Sequence, residues 1–442
     1  PGSSNSLTLS WLLVDEAKFI DYAKLKDETL PANGGIKSMD GAQIELVVAD
    51  TQTAADQASV ACERLITDDD VSLIIGAYNS TCCISASEVA QKYSIPFISQ
   101  GGVATDVTER GYDYVYRINN TATFDVQEMI VALDEVCKEY NLDTLTYALI
   151  YENTDWGSDN ARIWKELADE RGWTCVLDEP VTNGQADMTS QVLKIKESGA
   201  DVCNVSFYTD DAIVFANAMY ANQVDLPYGI WSVGGGWQDS AFYESVSPEV
   251  YEYTFVQEDW DMSGVQNKEW IKEVAQQCKD TYGYEMSSFF AQGWTAAYVA
   301  YYALESAGTT DAEALRDAIA NLNIQNSDEE RALLSGYSAL TKRARTPLAA
   351  ARPAARSSST RTASLSPFIR LSTAPAARRS SPSPRSASAD FPCTETAPCQ
   401  YGGGLGREAF PPLRCAVFGV ILSAYPFQPY ALYNALQTVS RR

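Results

Sequence analysis

Between Gly41 and about Ile319, short apolar runs alternate with segments whose apolar residues recur at helical spacing. This alternation constrains the fold more than any other feature of the chain. "AQIELVVAD", "VSLIIG", "IPFIS", "LTYALIYEN", "WTCVLDEPV", "DVCNVSF" and "YGIWSVG" read as buried strands, with "YVYRINN" following "IPFIS". Between them "AADQASVACERLITDD", with Val60, Leu65 and Ile66 on one stripe, the segment Phe124 to Tyr140, "DNARIWKELADERG", "DMTSQVLKIKESG" and "DDAIVFANAMYANQ" read as helices. Parallel strands need a crossover connection, so this order means βαβ units and a parallel sheet. The units are too many for one sheet. The expected class is α/β, with two Rossmann-like lobes.

The composition removes several functions. At 442 residues the chain has room for two or three domains. It contains no histidine, which excludes His-based acid–base work, Ser-His triads and most zinc sites. The net charge is −25, with 55 acids against 18 bases through Glu330 and 3 against 15 beyond it. So acidic a surface argues against nucleic acid or an anionic membrane as partner. None of the ten cysteines forms a C-x-x-C pair, and most lie in apolar runs where Cys acts as a small hydrophobe. No run of about 18 apolar residues occurs. No signal peptide or initiating Met is present, so the N-terminus reads as trimmed, and a lipid anchor ahead of it is left open. Neither a G-x-G-x-x-G after a strand, a G-x-x-x-x-G-K-[ST] nor a G-x-S-x-G elbow occurs, so nucleotide and hydrolase readings are weak.

In open α/β sheets ligands lie beyond the carboxyl ends of the strands, where helices begin. Five strand-to-helix turns carry polar or aromatic residues there. These are Asn79-Ser80-Thr81, Gly101-Gly102-Val103, Glu152 to Gly157, Phe207 to Asp211 and Val233 to Asp239. Facing a common cleft, they would make a binding site. The hydroxyls at Ser80 and Thr81 fit a plain helix cap, the reading the residues alone favour, or an anion-holding turn.

"NGGI…IELVVAD", "IIGAYNST", "IPFIS", "TERGYDYVYR", "ALIYENTDWG" and "SGADV" together resemble the type I periplasmic binding proteins, nearest the branched-chain amino-acid-binding branch that feeds ABC importers. The likeness runs from about Ala32 to Ile324. It implies a non-enzymatic, two-lobe clamp with a three-crossing hinge, residues 1–118 and 256–335 forming one lobe and 119–255 the other. Crossings are expected at "YRINNTAT", "EYTFVQEDW" and "GYSALT". The resemblance assigns Ser80 and Thr81 to a ligand carboxylate and the Gly101 carbonyl to a ligand ammonium, with Asn79, Gly102 and Val103 on the same turns. Trp156 and Tyr208 become an aromatic wall, and Gly234 and Trp237 belong to the opposite turn. It also implies a membrane permease as partner, an extracytoplasmic location, and neither cofactor nor metal.

Two departures bear on the ligand. Val103 stands where the amino-acid binders carry a Thr. Gly234-Gly235-Gly236 replaces a turn that carries their ammonium-neutralising Glu, so Asp210, Asp211 or Asp239 substitutes for it or the ligand is not an α-amino acid. A sensor of the same fold is one rival reading. An enzyme using Glu152, Asp155, Asp159 and Tyr208 is another.

The two ends do not fit the resemblance. The start lacks the family's first strand and its P-L-[ST]-G turn, with "LTLSWLLV" as a replacement strand and "EAKFIDYAKLKDE" as the first helix. Residues 336–442 are dense in Ala, Arg, Ser and Pro and read as a disordered tail. Back-translated and read two bases later, "RSSSTRTASLSPFIRLST" gives with permissible codons "VVQHEDGKPVSVYPAEH", similar to the family's closing strands. A reading-frame slip between about Leu334 and Thr346 is the expectation. Loss of those strands predicts a bare sheet edge and a destabilised chain.

Overall fold

A computed structural model describes residues 6–13, 35–251, 253–258, 269–282, 286–324, 369–371 and 418–420. Two sheets form. The first contains β1 (Ser6–Leu13), β2 (Gln43–Asp50), β3 (Leu73–Ile75), β4 (Phe97–Ser99) and β5 (Val115–Arg117), all parallel, in the order β2-β1-β3-β4-β5. The second contains β6 (Thr146–Glu152), β7 (Thr174–Val181), β8 (Val202–Ser206), β9 (Ile230–Ser232) and β10 (Thr254–Gln257), parallel in the order β7-β6-β8-β9-β10. The two orders are the same. In each sheet the winding reverses beside its first strand, between β1 and β3 and between β6 and β8. Such a reversal leaves a crevice at the strands' carboxyl ends, because the helices on its two sides leave in opposite directions.

Helices α1 (Ala55–Thr67) and α2 (Ser80–Tyr93) serve the first sheet, and α3 (Ala122–Tyr140), α4 (Asp155–Asp169), α5 (Thr189–Ser198), α6 (Thr209–Ala221) and α7 (Ser240–Ser245) the second. After β10 come α8 (Glu269–Tyr282), α9 (Ser288–Ala307) and α10 (Ala312–Asn321). Trp270, Trp294 and Leu304 from these helices pack with Leu73 and Ile75, so the chain returns to the first sheet. The opposite face of that sheet holds Cys62, Leu65, Ile74 and Ala86. The second sheet buries Val192 and Phe215 on one face and Val126 and Trp164 on the other. Burial on both faces explains why β8 reads as a continuous run rather than an alternating one: all five of its residues are buried.

The helices begin where the sequence supplies caps. The Thr121 side chain accepts from Phe124 N at 3.2 Å and Thr154 from Gly157 N at 3.2 Å. The cysteines of the described residues are free thiols, buried except for Cys175. Burial pushes the Cys82 thiol up to about 11, so the adjacent Cys82 and Cys83 act as core packing rather than as a reactive pair.

The lobe boundary expected at 255/256 falls inside β10, whose residues all belong to the second sheet, and the chain leaves that sheet after Gln257, still within "EYTFVQEDW". The crossing at "GYSALT" and the first helix at "EAKFIDYAKLKDE" lie outside the described residues, whereas β1 forms within "LTLSWLLV". The edge of β10 is not bare. β11 (Ile369–Leu371) pairs antiparallel with it, and β12 (Phe418–Val420) antiparallel with β11. Six residues of the tail thus carry strand where disorder was expected. Among the described residues no helix is long and apolar enough to cross a membrane.

Candidate ligand-binding site

The two crevices face each other. The turn after β3 and the start of α2 bring Tyr78 and Ser80. The turn after β4 brings Gly101 and Val103. From the second sheet, α4 brings Trp156, the end of β8 leads to Tyr208, and the turn after β9 brings Val233, Gly234 and Gly235. With Asp125, Gln238, Gln257, Phe289 and Gln292 they enclose a chamber of about 30 Å³. That is room for no more than a water molecule or two, so the lobes stand close together here. Tyr208 also lines an outer cleft of about 670 Å³ with Asn79, Thr81, Thr105, Asp155, Asp159 and Arg162.

The α2 start divides its work among three residues. Asn79 is the cap: its Oδ1 accepts from Cys82 N at 3.0 Å. Ser80 lines the chamber, and its Oγ accepts from Ala104 N at 3.1 Å, tying α2 to the turn after β4. Thr81 points to the outer cleft and donates to Asp155 Oδ2 at 2.6 Å, a bond between the lobes. Asp159 makes a second such bond, accepting from Thr105 N at 2.7 Å and from its hydroxyl at 2.6 Å. Of the candidate residues Asn79, Ser80 and Thr81, only Ser80 lines the chamber.

Arg117 shapes the turn after β4. It is 1% exposed and donates to the carbonyls of Gly102, Val103, Ala104 and Asn120 and to Thr108 Oγ1, at 2.8 to 3.3 Å. Burial lowers its pKa to about 10, still a cation at neutral pH. Gly102 is spent on this clamp, since its carbonyl accepts from both Arg117 and Ser99, and it lines neither cavity. At Gly101 a Cβ would stand 2.7 Å from the Tyr78 carbonyl, so only glycine lets the two turns approach.

The aromatic wall crosses between the lobes. Ring centroids lie 4.9 Å apart for Phe289 and Tyr78, 5.4 Å for Tyr78 and Tyr208, and 4.8 Å for Tyr208 and Trp156. Burial pushes the Tyr208 phenol well above its ordinary value, so it stays a neutral hydrogen-bonding group. Gly235 lets Trp156 lie down. Its φ is +69°, and a Cβ there would come within 2.5 Å of both the Phe207 carbonyl and the Trp156 ring. Trp237 is not in the wall. It is 1% exposed, packs against Phe215 and Phe242 in the second lobe's core, and does not line the chamber. An apolar side chain on a tight turn beside α6 is drawn into that core, and its sequence position could not distinguish the two.

The acids separate clearly. Asp211 accepts from Gly184 N and Gln185 N, and Asp239 accepts from Ala241 N and Thr209 Oγ1. Neither lines the chamber, nor does Asp210. Asp125 does, 3% exposed, with Oδ1 accepting from Gln257 Nε2 at 3.1 Å. Sequence reading missed Asp125, Gln257 and Gln292. The only signal was a polar residue near the start of a helix for Asp125 and Gln292, and at a strand end for Gln257. Glu152, a candidate acid for an enzyme, lies buried with Oε1 accepting from Tyr208 N at 2.6 Å and lines neither cavity. Asp155 and Asp159 are engaged between the lobes. These acids hold the scaffold. Among the described residues no group of His, Cys, Asp and Glu is arranged to hold a metal.

Comparisons with known proteins bear on the family and the fold. The family profile described as "Periplasmic binding protein" matches residues 23–352. Leu/Ile/Val-binding protein homolog 7 of Brucella abortus (strain 2308) is 28% identical over 333 residues, spanning 70% of this chain and 81% of that protein. Homolog 8 from the same strain is 30% identical over 238 residues, 52% of this chain and 57% of that protein. Among solved structures, the branched-chain amino acid transporter substrate binding protein LivJ from Streptococcus pneumoniae, in complex with isoleucine, superposes with a TM-score of 0.62 at 21% identity. That match covers 72% of this chain and 88% of that one. A solute binding protein of an ABC transporter from Rhodopseudomonas palustris BisB5, in complex with 3,4-dihydroxy benzoic acid, does so with a TM-score of 0.62 at 17% identity, covering 72% and 86%. These relatives are binding proteins, not enzymes. The chain belongs to the type I periplasmic binding proteins, in the branched-chain amino-acid family of solute-binding proteins.

Proposed function

We propose that the protein is the extracytoplasmic solute-binding component of an ABC importer and captures a small carboxylated metabolite between its lobes. The observation that carries this reading is that both topological switch points open onto one chamber. Ser80 and the α2 N-terminus face Trp156, Tyr208 and Gly234 across it. The start of α2 offers partial positive charge, roughly half an elementary charge, to a carboxylate. Binding requires the lobes to part and close again. The hinge motion breaks the Thr81–Asp155 and Thr105–Asp159 bonds and separates Tyr78 from Tyr208, while each sheet stays intact. The closed clamp would then be read by a membrane permease touching both lobe rims.

A thermal-shift screen of the full chain against amino acids, short amides and aromatic acids tests this. A ligand at about 100 times its dissociation constant adds about 2.7 kcal/mol of stability. The expected result is a saturable rise in melting temperature with at least one carboxylated compound, lost in Ser80→Ala. A flat response to the whole panel contradicts it.

A further inference from the structure

The turn after β4 is bound to both lobes at one carbonyl. Val103 lines the chamber, and its side chain packs against the second lobe's core cluster that holds Ala122 and Val126. Its carbonyl accepts twice, from Arg117 Nη1 at 2.9 Å and from Ala122 N at 2.7 Å. Arg117 is the last residue of β5 in the first sheet, and Ala122 is the first residue of α3 in the second lobe. A carbonyl oxygen has two lone pairs, so this one serves a donor from each side of the crossing.

The guanidinium fixes the rest of the turn. It donates to the carbonyls of Gly102 and Ala104 on the turn and of Asn120 in the crossing, while its Nε is held by Thr108 Oγ1. Gly102 lies against α2, where a Cβ would stand 2.6 Å from Cys83 Sγ, and Ala104 N is tied to Ser80 Oγ. Burial disfavours the charge of Arg117, and Glu109 of the first lobe with Asp125 of α3 and Asp159 of α4 favours it. A turn held this closely does not shift under a ligand without moving the crossing.

Resting on the capture reading, we propose that Val103, Arg117 and Ala122 link the chamber to the hinge, with Arg117 as a positioning residue. Ligand contact at Val103 passes through its carbonyl to the crossing between β5 and α3 and sets the angle between the lobes. The Thr81–Asp155 and Thr105–Asp159 bonds open when the lobes part. The two bonds at the Val103 carbonyl lie beside the crossing and serve as the pivot. Without them the lobes stay joined by the chain but swing more freely, and a ligand held by one lobe no longer biases the other.

Two variants break the link from opposite sides. In Ala122→Pro the ring replaces the N–H at the first position of a helix, where proline is otherwise tolerated, and pushes the Val103 carbonyl away. Thr121 is extended, at φ −94° and ψ 153°, as the residue before a proline requires. Arg117→Lys keeps the charge and loses the planar fork. Asp311→Ala removes the cap of α10 and no bond of the turn, so it controls for stability lost alone.

Small-angle scattering of the ligand-free full chain is expected to give a larger radius of gyration for both link variants and the parent's value for Asp311→Ala. Calorimetry with isoleucine and with 3,4-dihydroxybenzoic acid is expected to show both link variants binding at least about fivefold more weakly than the parent, with Asp311→Ala unchanged. Far-UV circular dichroism reports folding, and if one link variant does not fold the other decides. If neither probe binds the parent, the scattering decides. A folded link variant with the parent's scattering curve or the parent's affinity, or the same changes in Asp311→Ala, overturns the inference and leaves the capture reading standing. No binding by either probe or by any compound of the wider screen overturns both.

Discussion

Glu152 closes β6 with its side chain wholly buried, and burial pushes its pKa up to about 8. The hydrogen bond from Tyr208 N opposes the shift without cancelling it, and Asp211 adds to it. A carboxyl raised in the folded state binds its proton more tightly there than in the unfolded chain, where its pKa is near 4.5. Its contribution to stability is full below the unfolded value and is lost as pH rises toward about 8. The slope is roughly 1.4 kcal/mol per pH unit across that window. Urea melts of Glu152→Gln and the parent at pH 5 and pH 8.5 check this. The parent is expected to lose more stability than the variant on going to the higher pH, and equal losses would contradict the assignment.

At the scale of the element, α2 separates folding from binding within three residues. Asn79→Ala removes the cap and is expected to cost about 1 kcal/mol of stability with ligand affinity retained. Ser80→Ala removes a chamber hydroxyl and is expected to lower affinity more than stability. Parallel denaturation and calorimetry distinguish the two. The elements themselves were legible. β2, β3, β4 and β6 to β9 fall within the apolar runs that announce them, and α4 starts at Asp155, four residues ahead of "DNARIWKELADERG". The turns were legible too, because strand-to-helix junctions are where such folds bind. Which residues of a turn face the chamber was not. Gly102 and Trp237 lie on the right turns but are claimed by Arg117 and by the α6 core. Asp125, Gln257 and Gln292 reach the chamber from helix starts and a strand end that look structural until the lobes are placed face to face. The Ser80–Ala104 tie and the Thr81–Asp155 bond are long-range pairings that no local pattern encodes.

At the scale of the molecule, the Thr81–Asp155 and Thr105–Asp159 bonds tie the lobes together across the outer cleft. Thr81→Ala with Thr105→Ala removes the two hydroxyl donors to Asp155 and Asp159 and leaves only the Thr105 N–H bonded to Asp159. Each such bond is worth about 1 kcal/mol net, a factor of about five in an equilibrium. Small-angle scattering of the ligand-free double variant is expected to show a larger radius of gyration than the parent, with unchanged far-UV circular dichroism. An identical scattering curve would show that these bonds do not set the balance. The β10 edge makes a second global claim. It is covered by three-residue strands from the tail, and a paired edge resists intermolecular pairing. Deleting residues 336–442 is expected to lower the melting temperature and raise concentration-dependent light scattering, and an unchanged melt would show the tail strands to be dispensable.

Hydrogen exchange read by mass spectrometry, with and without a ligand from the screen, tests the central claim most directly. The two switch-point crevices are expected to respond as one site. Protection should rise together in the peptides spanning Tyr78 to Cys82, Gly101 to Ala104, Asp155 to Ser158, Phe207 to Asp210 and Gly234 to Gln238. Protection confined to one lobe, or appearing only outside these turns, would contradict a ligand gripped between two facing sheets.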